Sequence, residues 1–185
     1  MMISNLQPPF DPSVDALLPL REGLFGVVSQ VDLTPELLEC VWYILRTPSG
    51  LQYIQSRAGL LHRRLLKSTR KQLVDHRNHN GLDNRRCNIR PSTYSLNAAN
   101  ARPPRQGASR FKGVTFDRSR NLWLARLYQG KKRTLFRQRF ASEVEAARAY
   151  DFAALEHFGE HTLLNLPDSA LLFAKARPEL VEVES

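Results

Sequence analysis

The sequence predicts an α+β protein built from two small domains, and three observations predict it. Leu73-Val74 run into Asp75-His76, a loop rich in Asn and Gly follows, Asn88-Ile89-Arg90 is a second extended piece, and Thr93 caps a helix that carries Asn97. The order is strand, loop, strand, helix. Between residues 110 and 167 three short strand patterns precede a helix opened by Ser142, with Glu145 three residues on. Between these blocks stands Arg102-Pro103-Pro104-Arg105-Gln106-Gly107, whose prolines, glycine and basic residues read as a linker. The expected division is 1–102 (core about 57–102), linker 103–109, second domain 110–167 and tail 168–185.

Residues 1 to about 15 read as a Pro-rich lead-in, and Leu24 to Val28 as a strand. Thr34 before Pro35 and Glu36 is a helix start, because proline fits the first turn and threonine supplies the cap. Val41 to Leu45 and Leu51 to Ile54 flank the turn Thr47-Pro48-Ser49-Gly50 and should pair as a hairpin. This β-rich stretch is expected to dock on the core that follows. Leu61-His62-Arg63-Arg64-Leu65 comes next, and His62 reads as structural rather than catalytic.

Lys and Arg number 27 against 18 Asp and Glu, a net charge of +9, which points to a polyanionic partner. Basic residues crowd the segment around Asp75: Arg57, Arg63, Arg64, Lys67, Arg70, Lys71, Arg77, Arg85, Arg86 and Arg90. Beside the Asp75-His76 pair they read as phosphate contacts, with Arg63 and Arg64 as candidates. A membrane partner is excluded at this level, since the chain has no run of about 20 apolar residues. Met1 to Phe10 lacks the pattern of a signal peptide, and Cys40 and Cys87 form no Cys-x-x-Cys pair. A reducing cytoplasm without structural zinc is the expectation.

The chemistry near Asp75 fits phosphodiester hydrolysis. That reaction needs a deprotonated water and stabilisation of charge building on the phosphoryl group. An imidazole suits the first task near neutral pH, and a divalent ion suits the second. Carboxylate and amide oxygens favour Mg²⁺, with Mn²⁺ an alternative, over zinc.

This arrangement resembles the HNH nuclease family, whose ββα-metal (His-Me finger) fold surrounds one metal ion with two strands and a helix. The resemblance implies Asp75 as a metal ligand and His76 as general base. It makes Asn88, twelve residues after His76, the residue that orients the base, and Asn97, nine residues further, the second metal ligand. Asn rather than His at the last place matches the intron-encoded homing endonucleases of phages. Implied with it are a mobile genetic element and a bacterial or phage-infected cell, near the nucleoid.

In the second domain Phe111 to Phe116, Leu122 to Tyr128 and about Lys132 to Phe136 read as strands. Alternation puts Trp123, Ala125 and Leu127 on one face and Leu124, Arg126 and Tyr128 on the other. The small helical face of Ala146, Ala149, Tyr150, Ala153 and Ala154 can lie close on that sheet, with Trp123 filling the gap. Phe111-Lys112-Gly113-Val114, Trp123-Leu124-Ala125, Glu145 to Asp151, Phe158-Gly159 and Leu164-Asn165 together resemble the Apetala/ethylene-response-factor DNA-binding domain. The resemblance implies a three-stranded sheet in the DNA major groove, with Lys112, Arg126 and Tyr128 at groove-facing positions. Arg118, Lys132 and Arg133 join them as expected contacts, and the neighbouring Lys131, Arg137 and Arg139 as a basic face. Thr115 and Asp117 stand where the plant domains carry arginine, and residues 135–140 are longer than the family pattern.

The leading expectation is a metal-dependent endonuclease of the homing type acting on double-stranded DNA as a monomer or homodimer, with no obligate protein partner. The alternative is a catalytically inactive DNA-binding regulator built from the same modules, and a weaker third reading is an RNA-processing nuclease.

Overall fold

The computed structural model describes residues 8–69, 71–103, 107–130 and 133–177. It is a mixed α+β structure of several small sheets and short helices, and the chain divides into two compact units, residues 1–93 and 94–185. The division falls at Thr93/Tyr94 rather than in the expected linker, so the helix bearing Asn97 packs with the second unit.

In the first unit, β1 (Asp15–Pro19) and β2 (Phe25–Ser29) form an antiparallel pair. β1 lies partly within the stretch read as a lead-in; its burial alternates, and Leu18 is fully enclosed. α1 (Pro35–Leu38) starts as expected, the Thr34 hydroxyl accepting from Leu37 N–H at 3.4 Å. β3 (Tyr43–Arg46) and β4 (Gln52–Ser56) make the expected hairpin, with Ile44 opposite Ile54, and β5 (Gly59–Leu60) adds a third strand. α2 (Leu61–Leu65) follows directly. Trp42 is almost fully buried and its indole N–H donates to the Leu37 carbonyl at 2.8 Å, which welds α1 to a core of Leu18, Val28, Ile54 and Leu61.

β6 (Leu73–His76) pairs antiparallel with β8 (Ile89–Ser92), placing Asp75 opposite Arg90 and His76 opposite Ile89. The loop between them contains β7 (Asp83–Asn84), which adds to β2 in parallel, Val27 beside Asp83. The strand–loop–strand is thereby fastened to the amino-terminal sheet.

The second unit begins with α3 (Tyr94–Asn100). Its sheet has the order β11 (Arg133–Phe140), β10 (Leu122–Gln129), β9 (Val114–Asp117), both neighbours antiparallel to β10. β11 is longer than expected: Arg137 to Phe140 continue the pairing with β10, and one register shift falls opposite Leu127/Tyr128. α4 (Glu143–Phe158) opens with the expected capping box of Ser142 and Glu145. Its buried face uses Ala147 beside Ala146, Tyr150, Ala153 and Ala154, with Ala149 only half-buried. Trp123 packs at the edge of this core against Phe116, ring centroids 4.9 Å apart. Gly113, at φ +72°, lets Tyr150 approach: a Cβ there would lie 2.1 Å from the tyrosine ring. α5 (Ser169–Ala176) forms within the stretch expected as a tail, whose residues 178–185 lie outside the described residues, as do residues 104–106 of the linker.

Candidate active site and nucleic-acid interface

The Asn-rich loop is a chain of side-chain-to-backbone turns. Asn78 Oδ1 accepts from Asn80 N–H at 2.9 Å, and Asn80 Oδ1 accepts from Leu82 N–H at 3.1 Å. Asn78 Nδ2 donates to Asp83 Oδ2 at 2.8 Å. Asn88 closes this loop: its Nδ2 donates to the Asp83 carbonyl at 2.7 Å and its Oδ1 accepts from Asn78 N–H at 3.0 Å. The side chain expected to orient His76 therefore holds the loop's two ends, and does not bond the imidazole. The reason is geometric, since Asn88 precedes β8 and faces the loop's backbone.

Asp75 and His76 sit side by side at the end of β6, both largely buried. One partner of the ring is Asn84, whose Oδ1 lies 3.4 Å from His76 Nε2. Asn84 Nδ2 donates to the Gly81 carbonyl at 3.1 Å, so its Oδ1 is left to accept, and Nε2 carries the hydrogen. That tautomer makes Nδ1 the proton-accepting atom of the neutral ring. Burial pushes the His76 pKa below the ordinary imidazole value, against the upward pull of the Asn84 hydrogen bond and the nearby Asp75 and Asp83 carboxylates. A neutral ring at neutral pH is what a general base requires.

Three rings pack together at this point. His62 lies 5.0 Å from His76 at 88°, and Tyr53 lies 5.6 Å from His62 and 5.9 Å from His76. Burial first, then the charges of His76 and Arg63, lower the His62 pKa to about 3, so His62 stands neutral against the base. Its Nδ1 is buried without a hydrogen-bond partner. Asn84, Tyr53 and His62 were not singled out as site residues in the sequence. Only the placement of His62 among apolar neighbours, Leu60, Leu61, Leu65 and Leu66, hinted at burial.

Asp75 meets Arg90 across the strand pair, Oδ2 accepting from Nη2 at 2.8 Å and from Nε at 3.0 Å. A carboxylate has about four lone-pair sites, so this pairing is compatible with metal ligation through the remaining ones. Asn97 lies on α3 in the second unit; its Oδ1 is buried and accepts no hydrogen bond, the condition of an amide oxygen suited to a hard cation. Among the described residues no three His, Cys, Asp or Glu side chains gather as a metal group. Asp75 and Asn97 each carry an oxygen donor, the ligand type that hard cations prefer.

Much of the basic cluster is spent internally. Arg85 is buried: Nε and Nη2 grip Asp83 at 2.9 and 2.8 Å, Nη1 reaches Asp15 at 2.9 Å, and both terminal nitrogens donate to the carbonyls of Pro8 and Pro9. Arg86 pairs with Asp32 and Arg90 with Asp75. Arg85 and Arg90 are withdrawn from the expected phosphate surface by burial against these carboxylates, whereas Arg86, paired with Asp32, stays exposed. Arg63 donates to the Thr69 carbonyl at 3.0 Å, while Arg64, although exposed, reaches Cys40 Sγ at 2.9 Å and lies over the Trp42 ring.

In the second unit, the Lys112 ammonium is turned inward to the Ala99 carbonyl, and burial lowers its pKa to about 8. Arg118 lies exposed in the β9–β10 turn, Arg126 and Tyr128 on the sheet face away from α4, and Arg133 beside Gln129 at 3.2 Å. Arg139 is claimed by Asp117 at 3.0 Å. Lys131 and Lys132 lie outside the described residues. No helix among the described residues is long and apolar enough to cross a membrane. No protein-family model, curated protein or solved structure matches the chain.

Proposed function

We propose that the protein is a metal-dependent endonuclease that hydrolyses phosphodiester bonds in duplex DNA, with the Asp75-His76 strand pair in its first unit and a DNA-holding sheet in its second. The carrying observation is the His76 imidazole, held neutral by burial, fixed in one tautomer by Asn84 and flanked by Asp75. Asp75 is the carboxylate that would hold the ion, which when bound would stabilise charge on the phosphoryl and leaving oxygens. His76 Nδ1 takes the proton from the attacking water. That water forms the new P–O bond as the bond to the leaving oxygen breaks. Asn84 keeps the ring turned, and Asn88 keeps the loop closed around it. The likeness to phage homing endonucleases of the HNH type, and to the Apetala/ethylene-response-factor domain, supports this reading from the sequence side.

The test is conversion of supercoiled plasmid to nicked circle with Mg²⁺ or Mn²⁺, comparing wild type with His76→Ala. Loss of the base should slow cleavage by about 10²–10⁴-fold. Equal rates would remove His76 from the chemistry. The regulator reading draws on one observation, the engagement of Asp75 by Arg90. It predicts DNA binding that is the same with or without divalent ion and unaffected by Asp75→Ala.

A further inference from the structure

The sheet of the second unit has a polar outer face on which charge is distributed unevenly. Trp123, Ala125 and Leu127 point to α4, so Leu122, Leu124 and Arg126 of β10 point away from it. Across the ladders, Leu124 stands opposite Thr115 on β9 and Arg139 on β11, and Leu122 stands opposite Asp117. Arg126 stands directly opposite Arg137.

The two arginines of β11 on this face differ in circumstance. Arg139 reaches across the central strand to Asp117 at 3.0 Å, over Leu124, which is 6% exposed. Arg120 also approaches Asp117, at 3.4 Å, and Ser119 donates to its other oxygen at 2.7 Å. Those hydrogen bonds, from Ser119 and then Arg139, hold the Asp117 carboxyl down to about 2, so it is ionised in any working buffer. Arg137 is exposed, and among the described residues neither it nor Arg126 has a carboxylate in ion-pair reach. Directly opposed like charges on neighbouring strands are destabilising, with Cβ atoms about 4.5–5.5 Å apart. A pair of guanidiniums in that position gains most when an anion with several acceptor oxygens lies between them.

We propose that Arg126 and Arg137 form a phosphate clamp for the DNA backbone on this sheet face, and that Asp117 keeps Arg139 out of the contact. The proposal rests on the DNA-binding reading above and narrows it. Of the basic residues on this face, the opposed pair grips phosphate, while Arg139 is an internal strut.

The experiment uses the full chain in EDTA, so that no cutting occurs, with a fluorescent mixed-sequence duplex titrated at several salt concentrations. Each lost phosphate contact should lower the slope of log K against log salt by about 0.9. Arg126→Ala and Arg137→Ala are each expected to lower it by about that amount, and Arg139→Ala to leave it unchanged. Asp117→Asn, by releasing Arg139, should raise it. Thermal melting at low salt without DNA gives an independent reading: Arg137→Ala should melt at or above wild type, and Arg139→Ala below it. If wild type binds DNA but Arg137→Ala keeps the full slope, or Arg139→Ala loses as much, the clamp is wrong while the DNA reading stands. A wild type that binds no duplex at low salt overturns both.

Discussion

Asn84 decides which nitrogen of His76 is basic, and it does so because its own amide is committed to the Gly81 carbonyl. Replacing it with Leu keeps the branched shape of the side chain but removes the acceptor. The ring should then sample both tautomers, visible as a change in the ¹⁵N shifts of the His76 ring, and nicking should slow by about 10–100-fold, the usual effect of losing an outer partner at such a site. Unchanged shifts in a folded variant would take Asn84 out of the role. Lys112 yields a second residue-scale expectation. Its folded pKa, about 8 against 10.5, means that the folded state resists protonation. Below pH 8 both states are protonated and the burial penalty is fully felt. Between pH 8 and 10.5 the unfolded chain binds more protons, so stability rises with pH. Urea unfolding of wild type against Lys112→Met should show this rise in wild type alone, on the order of 1–3 kcal/mol. Parallel pH profiles would refute it.

At the scale of elements, the loop from His76 to Asn88 owes its shape to a buried ion cluster as much as to its asparagines. Arg85 is 1% exposed and serves Asp83 and Asp15 at once, tying β7, β1 and the segment at Pro8–Pro9 together. Arg85→Met would leave two carboxylates buried without their cation, so denaturant unfolding should show a loss of about 3–5 kcal/mol. A loss under about 1 kcal/mol would mean that water reaches those carboxylates freely. Arg85 also marks where the sequence stopped being legible. Caps, hairpins and the sheet–helix order of the second unit follow from local chemistry: Thr34, Ser142 with Glu145, the Ile44–Ile54 pairing. The residues flanking His76 in space do not. Asn84, His62 and Tyr53 come from three separate segments, and no periodicity links them. The basic run around Asp75 read as a phosphate surface because charge is visible in a sequence while its burial is not. The strand β1 was hidden for a related reason, since its pairing partners lie in β2, which in turn accepts β7 from some 55 residues further on.

For the whole molecule the decisive count is one. The chain carries a single Asp75-His76 pair, and on the proposed nuclease reading one such centre would hydrolyse one strand per encounter. At protein concentrations below that of plasmid, the expected product is the nicked circle, formed with a rate proportional to protein. Linear DNA should appear only late, from independent nicks falling opposite one another. If two copies act together, linear product should appear early, with a rate rising as the square of protein concentration. Agarose gels over a protein series separate the two cases. The electrostatics make salt a second axis of the same experiment. If DNA is the partner, as proposed, a net charge of +9 should steer the encounter and make it weaken steeply as salt rises, whatever the target sequence. Raising salt should therefore suppress nicking at scattered sites before it suppresses cleavage at a preferred one, because base contacts do not share the counterion-release slope of phosphate contacts. A nicking pattern that narrows to one position as salt increases would mark a specific target. A pattern that fades uniformly would mean that backbone contact alone sets where this protein cuts.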